Sequence, residues 1–456
     1  MANDTTPPLY LRGRFAPVPD EHTAADLTVR GSLPPELDGR YLRNGPNPLP
    51  GEDKGHWFIG PGMLHGIRLR EGRAEWYRNR WVRTRELEGH PLIREDFTVD
   101  LTANPSNTHV IRHAGTVLAL CEVGLPYWVT PSLETVGPYD FAGRLTTAMT
   151  AHPKEDPVTG ELHLFGTGFA PPYLTYHRVT ADGELLDSRT VDVPGPTMMH
   201  DFAITEHHIV WMDLPVVFDL ELAGRGGMPY RWDDGYGARL GVMSRKPGST
   251  DVRWYDVDPC YVFHVGNAHE DGHGRIVLDA VRYDREGFRR SWTNIGGTAS
   301  PNGRAGAREP RSHQAPSVLH RWTLDPVTGR VTESQLDDRA VEFPTHNETL
   351  TGRRNRYLYT VSDEGIAKHD LARHTTHTHA TPGSRYAGEA VFVPAADGTG
   401  EDEGWLLSLV SDDDGAAGEL LVLDAAELSV QAVVELPHPV PAGFHGSWLP
   451  ELSERP

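Results

Sequence analysis

The sequence predicts an all-β protein. Helical periodicity is scarce, short strand-like runs recur along the whole chain, and turn residues separate them. Glycine (47) and proline (37) are abundant among the 456 residues, which leaves little room for long helices. Strand-like runs stand at 108–111, 116–121, 161–165, 208–212, 276–283, 318–324, 357–362, 390–394 and 404–410. Asp182-Gly183, Asp271-Gly272 and Asp397-Gly398 punctuate them as turns. The string Asp-Pro-Val-Thr-Gly occurs at 156–160 and again at 325–329, where proline presets the turn and glycine supplies a positive φ. That separation suits two similar hairpins about three units of ~55 residues apart. Many short strands in a chain of this length fit a sandwich pair, a large barrel or a propeller, and seven propeller blades would take about 65 residues each. No low-complexity linker divides the chain, so one closed domain over 1–456 is expected, with a polar loop at 296–316.

Composition excludes several classes of function. Acidic residues outnumber basic ones by 64 to 43, a net charge of −21, which argues against binding nucleic acid. Apolar residues make up 38% of the chain, enough for a packed core. Only Cys121 and Cys260 are present, so neither a disulfide framework nor a thiolate metal cluster can form. The run Met1 to Pro8 lacks the basic-then-apolar pattern of a secretion signal. The apolar run 209–218 is broken by Asp213 and Pro215, and nothing approaches the ~18–20 residues of a spanning helix. A soluble, cytoplasmic protein is the expectation.

Histidine is over-represented, at 24 residues. His374, His377 and His379 lie in a polar run and read as solvated, and His113, His207 and His208 sit by turns and read as surface residues. Four others stand in or beside apolar or turn-forming segments: His152, His200, His264 and His445. Taken singly, each reads as a buried histidine bonded to backbone. Taken together they suggest a metal site, since neutral imidazole suits Zn, Cu, Fe and Ni. Ligands so far apart in sequence can meet only if separate structural units each point one residue at a common axis, as propeller blades do.

The motifs around these residues go further. Tyr41-Leu-Arg-Asn-Gly-Pro-Asn-Pro48 and His56-Trp-Phe-Ile-Gly-Pro-Gly-Met-Leu-His65 stand near the start. Thr150-Ala-His-Pro-Lys and Met199-His-Asp-Phe occupy the centre, followed by Phe263-His-Val-Gly-Asn, Glu342-Phe-Pro344, Gly388-Glu-Ala-Val-Phe-Val-Pro394 and Gly443-Phe-His-Gly446. In this order the fragments resemble the carotenoid cleavage oxygenase family, which includes apocarotenoid oxygenases, stilbene-cleaving dioxygenases and the retinoid isomerohydrolase branch. The resemblance runs from about Pro8 to Pro450.

It implies a seven-bladed β-propeller with a loop and short-helix cap over the metal-bearing face. It also implies Fe(II) held by His152, His200, His264 and His445, with Glu122, Glu342 and Glu389 supporting His200, His264 and His445 through Nδ1–H hydrogen bonds. His152 is left without a carboxylate. Thr108 matches a threonine whose methyl group crowds a vacant metal position and favours end-on binding of small ligands. Read without the resemblance, Glu389 passes for a surface acid, whereas Glu122 follows an apolar strand where an unpaired charge is costly.

The implied reaction joins O2 to a conjugated C=C bond and releases two carbonyl products, with the protein supplying a dry, shaped passage. Tyr127, Trp128, Phe169, Trp211, Phe263 and Phe343 are aromatic candidates for that passage, though core packing explains each equally well. Stilbene-cleaving relatives place a lysine just before the supporting glutamate, where this chain has Cys121, and no tyrosine occurs between Tyr77 and Tyr127. The departure favours a carotenoid or apocarotenoid over a stilbene. An apolar substrate also implies a peripheral membrane contact at the passage mouth, which no run of residues marks. Retinyl ester isomerohydrolysis and a silent, ligand-binding propeller are the remaining readings; retention of all four histidines speaks against the last.

Overall fold

The structure is a computed structural model that describes residues 7–451, apart from Phe97, Gly226 and 298–316. The loop expected at 296–316 falls outside the described residues except for Gly296 and Gly297. Each run read as a strand overlaps an observed one, from His109–His113 to Gly404–Asp412.

Among the described residues seven antiparallel sheets follow one another along the chain, each meandering outward from an inner strand. We number these blades from the N-terminus. Their inner strands are Gly446–Pro450, His109–His113, Lys154–Glu155, Ala203–Ile204, Tyr261–Glu270, Glu342–Thr345 and, for blade 7, the split pair Arg385–Ala387 and Val391–Pro394. This is the seven-bladed propeller. An eighth, two-stranded hairpin, Val216–Phe218 with Tyr230–Trp232, is inserted in blade 4.

The ring closes at two places. Gly446–Pro450, from the C-terminal part of the chain, pairs with Gly39–Pro46 as the inner strand of blade 1. Val29–Gly31, from the N-terminal part, adds the outer strand of blade 7. Pairing both parts into sheets removes the free edges that an open array would expose.

Apolar side chains pack chiefly between neighbouring blades. One cluster joins Leu42, Leu64, Val110 and Ala119 of blades 1 and 2, another joins Leu118 and Leu120 to Leu162 and Leu164 of blades 2 and 3, and the pattern continues round to blades 7 and 1. Middle strands are therefore buried on both faces, whereas the outer strand Thr375–Ala380, rich in threonine and histidine, is mostly exposed. Helix is confined to short pieces, chiefly Leu220–Gly224 and Arg285–Asn294. Asp219 and Asp284 cap them by accepting from the Leu222 and Gly287 N–H groups. Among the described residues no helix is long and apolar enough to cross a membrane.

Two sequence expectations need correction. The repeated pentapeptide does form a hairpin turn twice, with Gly160 at φ +68° and Gly329 at φ +75°. However, one turn joins the first two strands of blade 3 and the other joins the last two of blade 5, so the copies are two blades apart and not equivalent. A five-residue turn encodes local backbone geometry, which is the same at any hairpin. His113 is buried rather than superficial, because its ring bridges Glu155 Oε2 (2.9 Å) and the Thr180 carbonyl (2.7 Å) in blade 3.

Leu42 has no exposed surface at the interface of blades 1 and 2. Leu42→Ala is expected to cost about 2–5 kcal/mol, lowering the urea midpoint, while Val327→Ala at an exposed turn leaves it unchanged. Glu270, ending the inner strand of blade 5, accepts from the Thr205 hydroxyl (2.6 Å), the His207 N–H (2.9 Å) and His208 Nδ1 (3.0 Å) of blade 4. Burial alone would raise its pKa, but these bonds outweigh burial and hold it at about 2 instead of 4.5. A depressed carboxylate stabilises the fold above its unfolded pKa and loses that contribution as pH falls through its folded one. Glu270→Gln should lower Tm at pH 7, and the gap to the unmodified protein should close between pH 4.5 and about 2.

Candidate metal centre

Every blade brings a candidate residue to the axis. Thr108 precedes the inner strand of blade 2, and His152, His200 and His445 precede those of blades 3, 4 and 1. The other three lie where pairing breaks. His264 falls in the register shift between Val262 and Val265, and Glu342 begins the shift that ends at Thr345. Glu389 lies between the two halves of the blade 7 inner strand, where Gly388 N–H still bonds the Leu409 carbonyl (2.8 Å). A β-bulge re-aims one side chain without ending the strand, and here each bulge turns a polar residue to the axis.

One ring nitrogen from each of His152, His200, His264 and His445 lies within 4.8 Å of the others. His152 Nε2 is 3.0 Å from His200 Nε2, which is 3.3 Å from His264 Nε2. The opposite nitrogens meet acids. His264 Nδ1 is 2.5 Å from Glu342 Oε2, His445 Nδ1 is 2.8 Å from Glu389 Oε1, and His200 Nδ1 contacts Glu122 Oε1. Among the described residues no carboxylate lies within ion-pair distance of His152.

These contacts determine tautomers. A ring that donates Nδ1–H to a carboxylate carries a lone pair on Nε2. Three such lone pairs then converge, with that of His152, on one point. Burial, reinforced by the other imidazoles, holds His152 and His445 well below the usual histidine range, so both are neutral. Ring nitrogens about 3 Å apart suit two ligands near a right angle around one ion at about 2.1 Å. The residues present therefore fit a divalent metal ion.

The surrounding groups fasten this arrangement. Asp201 accepts from Lys154 Nζ (2.8 Å) and from the Val265 N–H (2.8 Å), tying the neighbours of His152, His200 and His264 together. Tyr283 donates its hydroxyl to Glu342 Oε1 (2.5 Å), and Glu389 Oε2 accepts the Gly446 N–H (2.8 Å). Burial raises the Glu342 pKa, but His264, Tyr283 and the Phe343 N–H outweigh it, so its carboxyl lies below the ordinary range; burial pushes Glu389 up. His109 packs 5.3 Å from His445, with Nδ1 bonded to the Ala151 carbonyl (3.0 Å). Sequence reasoning missed Asp201, Tyr283 and His109. Asp201 and His109 adjoin recognised motif residues, but Tyr283 ends an ordinary strand and carries no local signal.

A cavity of about 800 Å³ opens onto the histidines. Phe58, Phe169, Tyr230, Phe263, Phe343 and Phe444 line it, with Thr108, His200, His264 and His445. Thr108 donates its hydroxyl to Asn107 Oδ1 (3.0 Å) while its carbonyl accepts the His445 N–H (3.1 Å). Of the six aromatic candidates, Phe169, Phe263 and Phe343 reach this wall, Tyr127 and Trp211 are core, and Trp128 is exposed. Phe343 stacks on His264 with centroids 4.9 Å apart and adopts φ +49°, a conformation rare for a bulky residue, at the bulge beside Glu342. The Leu220–Gly224 and Arg285–Asn294 helices add Ala223 and Ser291 to the lining, so the short-helix cap covers this face.

Known proteins match the chain over nearly its whole length. The family described as retinal pigment epithelial membrane protein matches residues 15–450. A carotenoid cleavage oxygenase of Mycobacterium tuberculosis is 39% identical, over 97% of each chain. A carotenoid 9,10(9',10')-cleavage dioxygenase of Crocus sativus is 35% identical, over 97% of this chain and 89% of its own. Among solved structures, cobalt-substituted Synechocystis ACO superposes with a TM-score of 0.83 at 27% identity, covering 97% of this chain and 98% of its own. The lignostilbene dioxygenase of Pseudomonas brassicacearum gives 0.85 at 27% identity, covering 98% and 100%. The chain belongs to the carotenoid cleavage oxygenase family and is an enzyme of the carotenoid cleavage dioxygenase type.

Proposed function

We propose that His152, His200, His264 and His445 hold Fe(II), and that the enzyme cleaves one conjugated double bond of a carotenoid or apocarotenoid with O2. The observation that carries this reading is the convergence of four imidazoles, three of them on the wall of a large aromatic cavity. Bound there, Fe(II) would supply an open-shell centre through which triplet O2 can react with a singlet alkene. The two oxygen atoms end in two carbonyl groups as the C=C bond breaks, so atoms balance without an acid, a base or a covalent nucleophile from the chain.

The residues of the chain bind, orient and exclude water. Glu122, Glu342 and Glu389 keep three Nδ1–H groups directed outward, so that the Nε2 lone pairs face the ion and gain basicity. Thr108 narrows the cavity beside His445, the position from which its methyl group would restrict small ligands. The phenylalanine walls would hold an extended polyene in a dry passage and align it past the histidines. Ile93, 45% exposed, borders the same cavity and offers apolar contact to a lipid surface from which such a substrate would be drawn.

A stilbene is the weaker reading. Cys121 lines the cavity beside Glu122, and burial pushes its thiol up to about 11, so it supplies no positive charge for a phenolate.

Aerobic incubation with apocarotenoids and hydroxystilbenes, with mass spectrometry of the products, separates the readings. Two carbonyl fragments from a polyene with stoichiometric O2 uptake are expected; stilbene cleavage alone, or retinyl ester turnover without O2 uptake, overturns the proposal. His264→Ala should lose both bound iron, measured by elemental analysis, and activity. Retention of either sinks the ligand assignment. Tyr283→Phe removes one hydrogen bond from Glu342 while conserving shape, and should weaken metal affinity by about tenfold in a metal titration.

A further inference from the structure

The cavity wall is mostly apolar, and away from the acids that touch the histidines its Lys and Glu side chains are Lys54 and Glu86, with His90 nearby in sequence. Lys54 Nζ lies 3.4 Å from Glu52 Oε2 and 3.7 Å from Glu86 Oε1, too far for good hydrogen bonds, so the three form a loose ionic group. Their side chains keep 32%, 38% and 21% of their surface, against 7% for His200 and 6% for His445. Gly89, His90, Pro91 and Ile93, which follow Glu86 and line the same cavity, are exposed, so the group sits where the cavity meets solvent. Its loop is pinned, since Asp53 accepts from the Tyr10 hydroxyl (2.8 Å) and the Gly55 N–H (2.8 Å). Glu86 Oε2 is shielded from water and has no hydrogen-bond partner.

We propose that Lys54 and Glu86 form a subsite for a hydroxyl group at one end of the polyene. The inference rests on the proposed polyene substrate and adds the chemistry of its terminus. An ammonium only donates, and a carboxylate only accepts, whereas a hydroxyl does both. A hydroxyl can thus accept from Lys54 Nζ and donate to Glu86, whose carboxyl turns freely about its broad terminal torsion. Other ends satisfy less. A carboxylate terminus meets two acids and one base, a net repulsion. A carbonyl terminus takes the lysine bond and leaves Glu86 Oε2 unpaired. A bare hydrocarbon ring desolvates the charged groups without compensation.

The test uses the full-length enzyme with a ring-hydroxylated apocarotenal and its deoxy analogue of equal length. Binding is followed by quenching of tryptophan fluorescence, to which Trp57 on the same wall contributes, and turnover by kcat/KM. The unmodified enzyme should prefer the hydroxylated compound by about tenfold in both measures. Lys54→Met and Glu86→Gln should each bring that ratio close to one, through KM, and Lys54→Arg should keep most of it. A ratio near one in the unmodified enzyme, or one unchanged in both variants, overturns the subsite. Quenching needs no turnover, so a protein that binds both compounds with this preference and cleaves neither would count against the proposed reaction alone.

Discussion

The structure depends on imidazole–carboxylate contacts that cross from blade to blade. Glu122 of blade 2 reaches His200 before blade 4, Glu342 of blade 6 reaches His264 of blade 5, and Glu389 of blade 7 reaches His445 before blade 1. No blade supplies both a ring and the acid that orients it. The site is consequently assembled only when the ring of blades is closed, and the closing strand Gly446–Pro450 begins one residue after His445.

Electrostatics adds a second constraint. Three carboxyl groups lie close behind the rings, in a buried setting where charge is expensive. Lys154 answers part of it through Asp201, but its ammonium is committed there at 2.8 Å. Converging Nε2 lone pairs add a further region of negative potential. A divalent ion placed among the rings answers both, because its charge is seen by the nitrogens directly and by the acids through the polarised Nδ1–H groups. Imidazoles and outer acids would thus divide the work of neutralising such an ion.

How much of this was legible in the sequence follows from the range of each interaction. Strands such as Ile276–Tyr283 and Val318–Leu324 announce themselves because β-branched and aromatic residues between turn signals are a local pattern. The histidine quartet was not legible from spacing, and only the ordered motifs singled it out among 24 histidines. His113 misled for the same reason: a turn beside it in sequence suggested the surface, while its true partners, Glu155 and Thr180, belong to the next blade. Tyr283 and Lys54 were invisible because each gains its meaning from a residue distant in sequence, Glu342 of the next blade and Glu86.

The two ends of the cavity differ in a way that bears on selectivity. Near the metal, phenylalanines and Thr108 provide shape but few polar contacts, and an apolar pocket discriminates only weakly between similar hydrocarbons. Such a wall cannot by itself decide which of many near-equivalent double bonds in a polyene stops over the ion. A polar contact at a fixed distance can, since a bound terminus turns chain length into position. The ionic group around Lys54 offers a polar contact on the described lining apart from the acids that touch the histidines, so on the proposed reading register along the polyene is set from that end. On this view the metal supplies reactivity, the aromatic wall supplies alignment, and the rim supplies the count of carbons.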